Sequence, residues 1–95
     1  MSDQPQIQAH VIISGYVQGV GFRWNTRHKA QELGLTGWVK NRWDGKVEAV
    51  FEGPEPAVRE AVAWCRHGER PAKVDHVEVT YGDATGEFKN FKVTF

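Results

Sequence analysis

The first patterned stretch of the chain alternates apolar and polar residues from position 7 to position 14, with Ile12 as the exception. Alternation with a period of two is typical of a strand that buries one face. Similar alternation recurs further along, between segments rich in glycine and polar residues. The sequence therefore predicts five strands, at positions 7–14, 35–42, 46–52, 76–81 and 91–95.

Two segments between these strands repeat their apolar residues at helical spacing instead. The first segment has a stripe of residues at this spacing and ends at Gly34, a residue type that suits the position after a helix C-terminus. The second has apolar residues from Ala57 to Cys65 and ends at Gly68. Asp44-Gly45, between the second and third strands, is a signal for a two-residue hairpin loop. The stripe of the first helix consists of Phe22, Thr26, Ala30 and Leu33.

The order of the elements predicts the fold class. Each strand has one apolar face, so two helices on one side of a largely antiparallel, mixed sheet bury those faces most economically. This arrangement is the α+β, ferredoxin-like fold (split βαβ), here βαββαβ plus a C-terminal strand. In it the first and second strands run parallel, so their C-terminal ends lie about 10 Å apart at one end of the sheet. We expect residues 1–6 to form a flexible tail and residues 7–95 a single domain.

Composition narrows the class of protein. A chain of 95 residues can bury one core without disulfides. Twelve basic and twelve acidic residues give a formal net charge of zero, which argues against a dedicated nucleic-acid or membrane-surface binder. Cys65 is the only cysteine, which suits a reducing cytosol. Without an apolar run of spanning length or a signal-peptide pattern, we expect a cytoplasmic monomer.

The loop between the first strand and the first helix, Gly15-Tyr16-Val17-Gln18-Gly19-Val20-Gly21-Phe22-Arg23, carries a chemical signal. Positions 19–22 contain no Ser, Thr, Asp or Asn to cap the helix, so its first N–H groups are free to bind an anion. The positive charge of Arg23 in the first turn interacts unfavourably with the helix dipole, at a cost of about 0.3–1 kcal/mol. A bound phosphate would make the interaction at this helix end favourable. The alternative is a glycine turn with a surface arginine. The predicted phosphate cradle is the backbone of Gln18, Gly19, Val20, Gly21, Phe22 and Arg23.

Asn41 is the second candidate site residue. By alternation, Asn41 lies on the same face of the second strand as Gly37 and Val39, the face that we expect the helices to cover. The predicted topology brings it to the same end of the sheet as the glycine loop. Asparagine is disfavoured in strands, so its presence needs a reason. Its amide could hold a water in line with a phosphorus atom. The alternative is that it satisfies backbone groups near the Asp44-Gly45 turn.

The chemistry of these two segments limits the substrate. Neither the glycine loop nor the segment 34–41 contains a His, Cys or carboxylate that could act as nucleophile or general acid. Such a site suits a leaving group that departs unprotonated, for example a carboxylate with a pKa of about 4. Phosphoryl transfer depends mostly on positioning and charge stabilisation. The residues therefore favour hydrolysis of acyl phosphates, with the phosphate's own oxygens taking the proton from water.

The same residues resemble the signatures of the acylphosphatase family. The first signature is the glycine loop itself, and the resemblance extends from Ile7 to Phe95. It implies a metal-free, cofactor-free hydrolase of carboxyl–phosphate mixed anhydrides such as carbamoyl phosphate and 1,3-bisphosphoglycerate. It also implies that Arg23 binds the phosphate and that Asn41 orients the nucleophilic water. The second signature is Gly34-Leu35-Thr36-Gly37-Trp38-Val39-Lys40-Asn41, followed by Asp44-Gly45-Lys46-Val47-Glu48.

Two alternatives stay open. Acylphosphatase-like domains also occur inside larger carbamoyl-transfer maturation proteins, so the chain could be a phosphate- or carbamoyl-phosphate-binding module that acts with a partner. Aromatic residues on an open sheet would suit RNA recognition, but the RNA-binding consensus and a basic excess are both missing. Cys65 lies on the apolar stripe of the second helix and is predicted to be core. The histidines, which show no metal-ligand spacing, are His10, His28, His67 and His76.

Overall fold

The computed structural model describes residues 4–95, so residues 1–3 of the predicted tail lie outside the described part. Gln6 already belongs to the first strand, and the carbonyl of Pro5 accepts a 3.0 Å hydrogen bond from the N–H of Glu55. The elements, in chain order, are β1 (Gln6–Tyr16), α1 (Phe22–Glu32), β2 (Thr36–Asn41), β3 (Val47–Pro54), α2 (Glu55–Cys65), β4 (Lys73–Asp83) and β5 (Phe91–Thr94).

The strands form one five-stranded sheet in the order β4-β1-β3-β2-β5. β3 runs antiparallel to both β1 and β2, so β1 and β2 are parallel to each other, as predicted. β5 pairs in parallel with β2 at one edge, a position that the sequence pattern did not predict. This topology confirms the ferredoxin-like α+β fold with its additional C-terminal strand.

Both helices pack on the same face of the sheet, α1 against β2 and β5, α2 against β1 and β3. The alternation in β1 is confirmed, because Ala9, Val11 and Ile13 are fully buried. Burial of one such aliphatic side chain contributes about 1.5–3 kcal/mol. Burial also raises the pKa of Cys65 to about 12, which suits a core thiol. Neither helix in the described chain has the length and apolarity needed to cross a membrane.

Three strands are longer than their sequence patterns suggested, and the first of them, β1, extends by one residue at its start and by two at its end. β3 continues through Gly53 and Pro54 because these residues still pair with Ile7 and Gln6 of β1. β4 begins at Lys73 and ends at Asp83, since it follows nearly the whole length of β1. None of the additional residues, 73–75, 82 and 83, is buried, so the apolar alternation of positions 76–81 does not extend to them.

The β2–β3 hairpin has a three-residue loop, and the prediction of a two-residue loop is wrong. The N–H of Arg42 donates to the carbonyl of Lys46 at 2.8 Å and encloses residues 43–45. A two-residue Asp-Gly loop would require positive φ at Asp44, but only glycines have positive φ among the described residues. Within this loop, Gly45 is the residue with positive φ, at 88°.

One buried carboxylate fixes the loop between β4 and β5 to the sheet. Glu52 is 3% exposed and accepts hydrogen bonds from the side chain of Gln8 (2.6 Å), from the N–H and hydroxyl of Thr85 (3.0 and 2.9 Å), and from the N–H of Gly86 (3.1 Å). Burial by itself would raise the pKa of Glu52. The hydrogen bonds, led by the backbone N–H of Thr85, outweigh burial and hold this pKa below its ordinary value.

We expect Glu52→Gln to lower the free energy of unfolding by about 1–3 kcal/mol at neutral pH, because an amide cannot accept all four bonds. The pKa of Glu52 is lower in the folded than in the unfolded state. The carboxylate therefore stabilises the fold fully above about pH 4.3, the ordinary pKa of glutamate, and this stabilisation is lost as the pH falls through the folded-state pKa. Urea unfolding from pH 7 to pH 3 measures this difference. If the gap between parent and variant stays constant over that range, the carboxylate is not the source of the stabilisation.

Candidate functional site

Apolar side chains anchor the glycine loop between β1 and α1. Val17 and Phe22 are each 1% exposed, and the ring of Phe22 packs against Trp64 with centroids 5.5 Å apart. Gly21 is the N-cap of α1, with φ of 78°, and no side chain caps the helix. The loop is therefore held by its side chains, and its backbone amides are left for other partners.

The backbone amides of residues 18–23 have no hydrogen-bond acceptor in the described part of the chain. Among the described residues, no N–H between Gln18 and Arg23 donates to a protein acceptor; the first such bond is that of Asn25 to Gly21, at 3.0 Å. A Cβ added to Gly19 would meet nothing within 4 Å, and the same holds for Gly21. The first turn of α1 contains no acidic residue. Unpaired N–H groups beside open space at a helix N-terminus favour an anion.

Gly15 serves a different purpose from the other two glycines of the loop. The register between β1 and β4 shifts between Ser14 and Gly15. A Cβ at Gly15 would clash with the carbonyl oxygen of Lys73 and lie 2.8 Å from the nitrogen of Asp75. The missing side chain of Gly15 therefore makes room for the neighbouring strand and not for a ligand.

Arg23 extends from the first turn of α1 to the end of β5. Its Nη1 donates to the carbonyl oxygen of Thr94 at 3.3 Å, and its Cζ lies 4.8 Å from the centroid of the Phe95 ring. Thr94 pairs with Lys40 in the parallel β2–β5 ladder. The guanidinium thus lies beside the C-terminal end of β2, and only one of its five N–H groups is used by a described residue.

Asn41 is the last residue of β2, and its side chain has an unusual environment. The alternation predicted for this strand is confirmed, because Gly37 and Val39 are buried. The Oδ1 atom of Asn41 is buried and accepts no hydrogen bond from the described residues. An unpaired buried polar atom costs about 1–3 kcal/mol and therefore needs an explanation. The alternative that Asn41 satisfies the backbone of the turn is wrong.

Gln18 satisfies that turn instead. Its Nε2 donates to the carbonyl of Arg42 at 2.8 Å and to the carbonyl of Lys46 at 2.9 Å. The side chain therefore connects the glycine loop to the hairpin that follows Asn41. Sequence reasoning considered only the backbone of Gln18, because the contact joins residues 24 and 28 positions apart and requires the sheet order to be known.

An open pocket of about 450 Å³ lies at the end of β2 next to Asn41. Trp43 is 96% and Phe95 92% exposed at its rim. Glu48 also lines the pocket, and sequence reasoning about the two short segments did not consider this carboxylate. It is held by His10 Nε2 at 2.6 Å and by Lys40 Nζ at 3.9 Å. The lining consists of Lys40, Asn41, Arg42, Trp43, Glu48 and Phe95.

Comparison with known proteins gives a consistent result. The family model for acylphosphatase matches residues 9–93. An acylphosphatase of Pelotomaculum thermopropionicum is 52% identical over 88 residues, which cover 93% of this chain and 96% of the relative. The crystal structure of acylphosphatase from Bacillus subtilis superposes with a TM-score of 0.90 at 38% identity, covering 94% of this chain and 99% of that one. Full-length HypF matches with a TM-score of 0.81 at 29% identity, covering all of this chain but 13% of that larger protein.

We expect Gly15→Ala to destabilise the fold by about 3 kcal/mol or more, because a methyl group would overlap the backbone of β4. Gly34→Ala is the matched control. Gly34 also has positive φ, at 72°, but a Cβ there meets nothing within 4 Å. Its cost is limited to left-handed strain of about 1–2 kcal/mol. Urea unfolding of both variants measures the difference; equal costs would contradict the role assigned to Gly15.

Proposed function

Since the chain belongs to the acylphosphatase family and is an enzyme that hydrolyses acyl phosphates, we propose that the reaction takes place between the glycine loop and Asn41. The carboxyl–phosphate bond is cleaved to a carboxylate and inorganic phosphate by in-line attack of water, without a metal. One observation supports this assignment above all. Among the described residues, N–H donors without a partner on the loop and a buried acceptor without a partner on Asn41 occur at the same end of the sheet.

The phosphoryl group binds in the cradle formed by the backbone of residues 18–23. These amides have no acceptor among the described residues, so a phosphate satisfies them without breaking existing bonds. Arg23 adds a positive charge and further N–H donors beside the same helix N-terminus. Because its guanidinium already rests on Thr94 and Phe95, little side-chain entropy is lost on binding. Preorganised donors of this kind stabilise the charge of a phosphoryl-transfer transition state.

Asn41 orients the attacking water. Its Oδ1 can accept a hydrogen bond from a water molecule, which removes the cost of leaving this atom unpaired. The oxygen of that water then points at a phosphorus atom held in the cradle, which follows the end of the parallel strand β1. The phosphate's own oxygens take the proton, and the carboxylate leaves without protonation because its pKa is about 4.

The two alternatives are not favoured. Relatives named acylphosphatase match this chain over nearly their whole length, which supports an enzyme rather than a binding module or an RNA-binding domain. Our proposal includes a small acyl phosphate as substrate, phosphate and other anions as ligands, and no nucleic-acid partner. A monomeric state and a cytoplasmic location complete it, the latter supported by a single free cysteine buried in the core.

We expect Arg23→Ala and Asn41→Ala each to lower kcat/KM for benzoyl phosphate by about 10²–10³-fold, a size typical for loss of one preorganised donor. The parent activity should persist with a chelator present. Arg27→Ala is the matched control, because Arg27 lies one turn further along α1 and stacks on Trp24 with 5.7 Å between Cζ and ring centroid. Its activity should equal that of the parent.

These measurements are made on variants whose thermal unfolding matches that of the parent. Parent-like activity in folded Arg23→Ala or Asn41→Ala would refute the assigned site. Loss of parent activity on addition of the chelator would refute the metal-free mechanism while leaving the site intact.

We further expect kcat/KM to show no enzyme base titrating between about pH 5 and 8, the range in which histidine titrates. His10 and Glu48 are the nearest hydrogen-bonded pair that could act as one. Glu48→Gln tests this directly. Its kcat should fall far less than the roughly 10²–10⁴-fold expected on loss of a general base. A fall of that size, together with disappearance of the acidic limb of the pH–rate profile, would assign the proton to Glu48 and contradict transfer to the phosphate.

A further inference from the structure

The glycine loop and the β2–β3 hairpin lie together at one end of the sheet but belong to strands that do not pair with each other. β1 and β2 are separated by β3. Among the described residues, the hydrogen bonds that join the loop directly to the hairpin both come from the Nε2 of Gln18. One side chain therefore makes the direct connection between the two halves of the proposed site.

The hairpin does not need Gln18 to close. The carbonyl of Arg42 already accepts from the N–H of Gly45 at 3.3 Å, and the carbonyl of Lys46 already accepts from the N–H of Arg42 at 2.8 Å. A carbonyl oxygen has two lone pairs, so Gln18 occupies the second acceptor position on each. These two bonds act between the loop and the hairpin rather than within either.

The nitrogen of Gln18 cannot also bind the substrate. An amide nitrogen has two N–H groups, and both are used on the carbonyls of Arg42 and Lys46. Its action on the reaction must therefore pass through the groups that it holds. Arg42 directly follows Asn41, so the bond to its carbonyl restrains the backbone one residue from the proposed water-orienting amide. The backbone N–H of Gln18 itself is the first of the predicted cradle.

We propose that Gln18 is a positioning residue that sets the distance and orientation of Asn41 relative to the phosphate cradle. This inference rests on the proposed function of the same site. Without the Gln18 amide, no hydrogen bond among the described residues joins the loop directly to the hairpin, and β1 and β2 are separated by β3, across about 10 Å of sheet. Attack in line with phosphorus is sensitive to such freedom, because a displacement of about 1 Å can cost about 10²-fold in rate.

Gln18→Leu tests the proposal, because leucine keeps much of the side-chain volume and removes both hydrogen bonds. We expect kcat for benzoyl phosphate to fall by about 10–100-fold. The inhibition constant of inorganic phosphate should change by less than about threefold, because the backbone amides and Arg23 remain. A merely structural role for Gln18 would weaken phosphate binding and kcat together, since the cradle would lose its own geometry.

A double-mutant cycle separates positioning from an independent effect. If Gln18 acts through Asn41, Gln18→Leu should change the rate by less than about twofold in the Asn41→Ala background. The slow double variant is followed by single turnovers at high enzyme concentration. Gln18→Asn provides a second variant that keeps an amide but is one methylene too short to reach both carbonyls. It should show the same kinetic pattern, and it serves if the leucine variant does not fold.

Three results would overturn the proposal: parent-like kcat in folded Gln18→Leu or Gln18→Asn, loss of phosphate affinity equal to the loss in kcat, or fully additive effects in the cycle. None of these results would contradict the proposed function, which is tested by the single variants of Arg23 and Asn41. Conversely, parent-like activity of those single variants removes the proposed site, whatever Gln18 does.

Discussion

The central constraint in this protein is that β3 pairs antiparallel with both β1 and β2. That arrangement makes β1 and β2 parallel, so the loop that leaves β1 and the last residue of β2 lie at the same end of the sheet. The apolar faces of all three strands can then be covered by two helices on one side. The positions of the glycine loop and Asn41 therefore follow from strand pairing and from the burial of the core.

The site itself consists of polar groups that the fold leaves unsatisfied. The first amides of α1 have no cap, and the Oδ1 of Asn41 is buried without a donor among the described residues. A folded protein normally pairs buried polar groups, and leaving the Oδ1 of Asn41 unpaired reduces stability by about 1–3 kcal/mol. In the proposed site, bound phosphate and water supply the missing partners. Binding energy at this site is therefore available from interactions that the free protein lacks, which is a requirement for preorganised catalysis.

Much of this could be predicted from one sequence because the relevant signals are local. The alternation in β1 and β2, the stripe of α1 and the missing helix cap each depend on neighbouring residues, and each was confirmed. Apart from the length of the β2–β3 hairpin loop, the errors arose where the decisive contact is distant. Gly15 is needed because β4 approaches its backbone, and β4 itself is longer than its pattern because an edge strand is mostly exposed. The burial of Glu52, on the sheet face without helices, likewise depends on distant residues, namely Gln8 and the β4–β5 loop.

The sequence by itself determined the fold class, the family resemblance and the residue types available at one end of the sheet. Those properties depend on hydrophobic periodicity and on short motifs, both of which can be recognised within a few consecutive residues. Only the tertiary structure decided that β5 lies beside β2, where Thr94 and Phe95 hold the guanidinium of Arg23. It also decided that the amide of Gln18, rather than that of Asn41, satisfies the hairpin. Strand order and side-chain hydrogen bonds depend on packing between distant segments, so no local pattern encodes them.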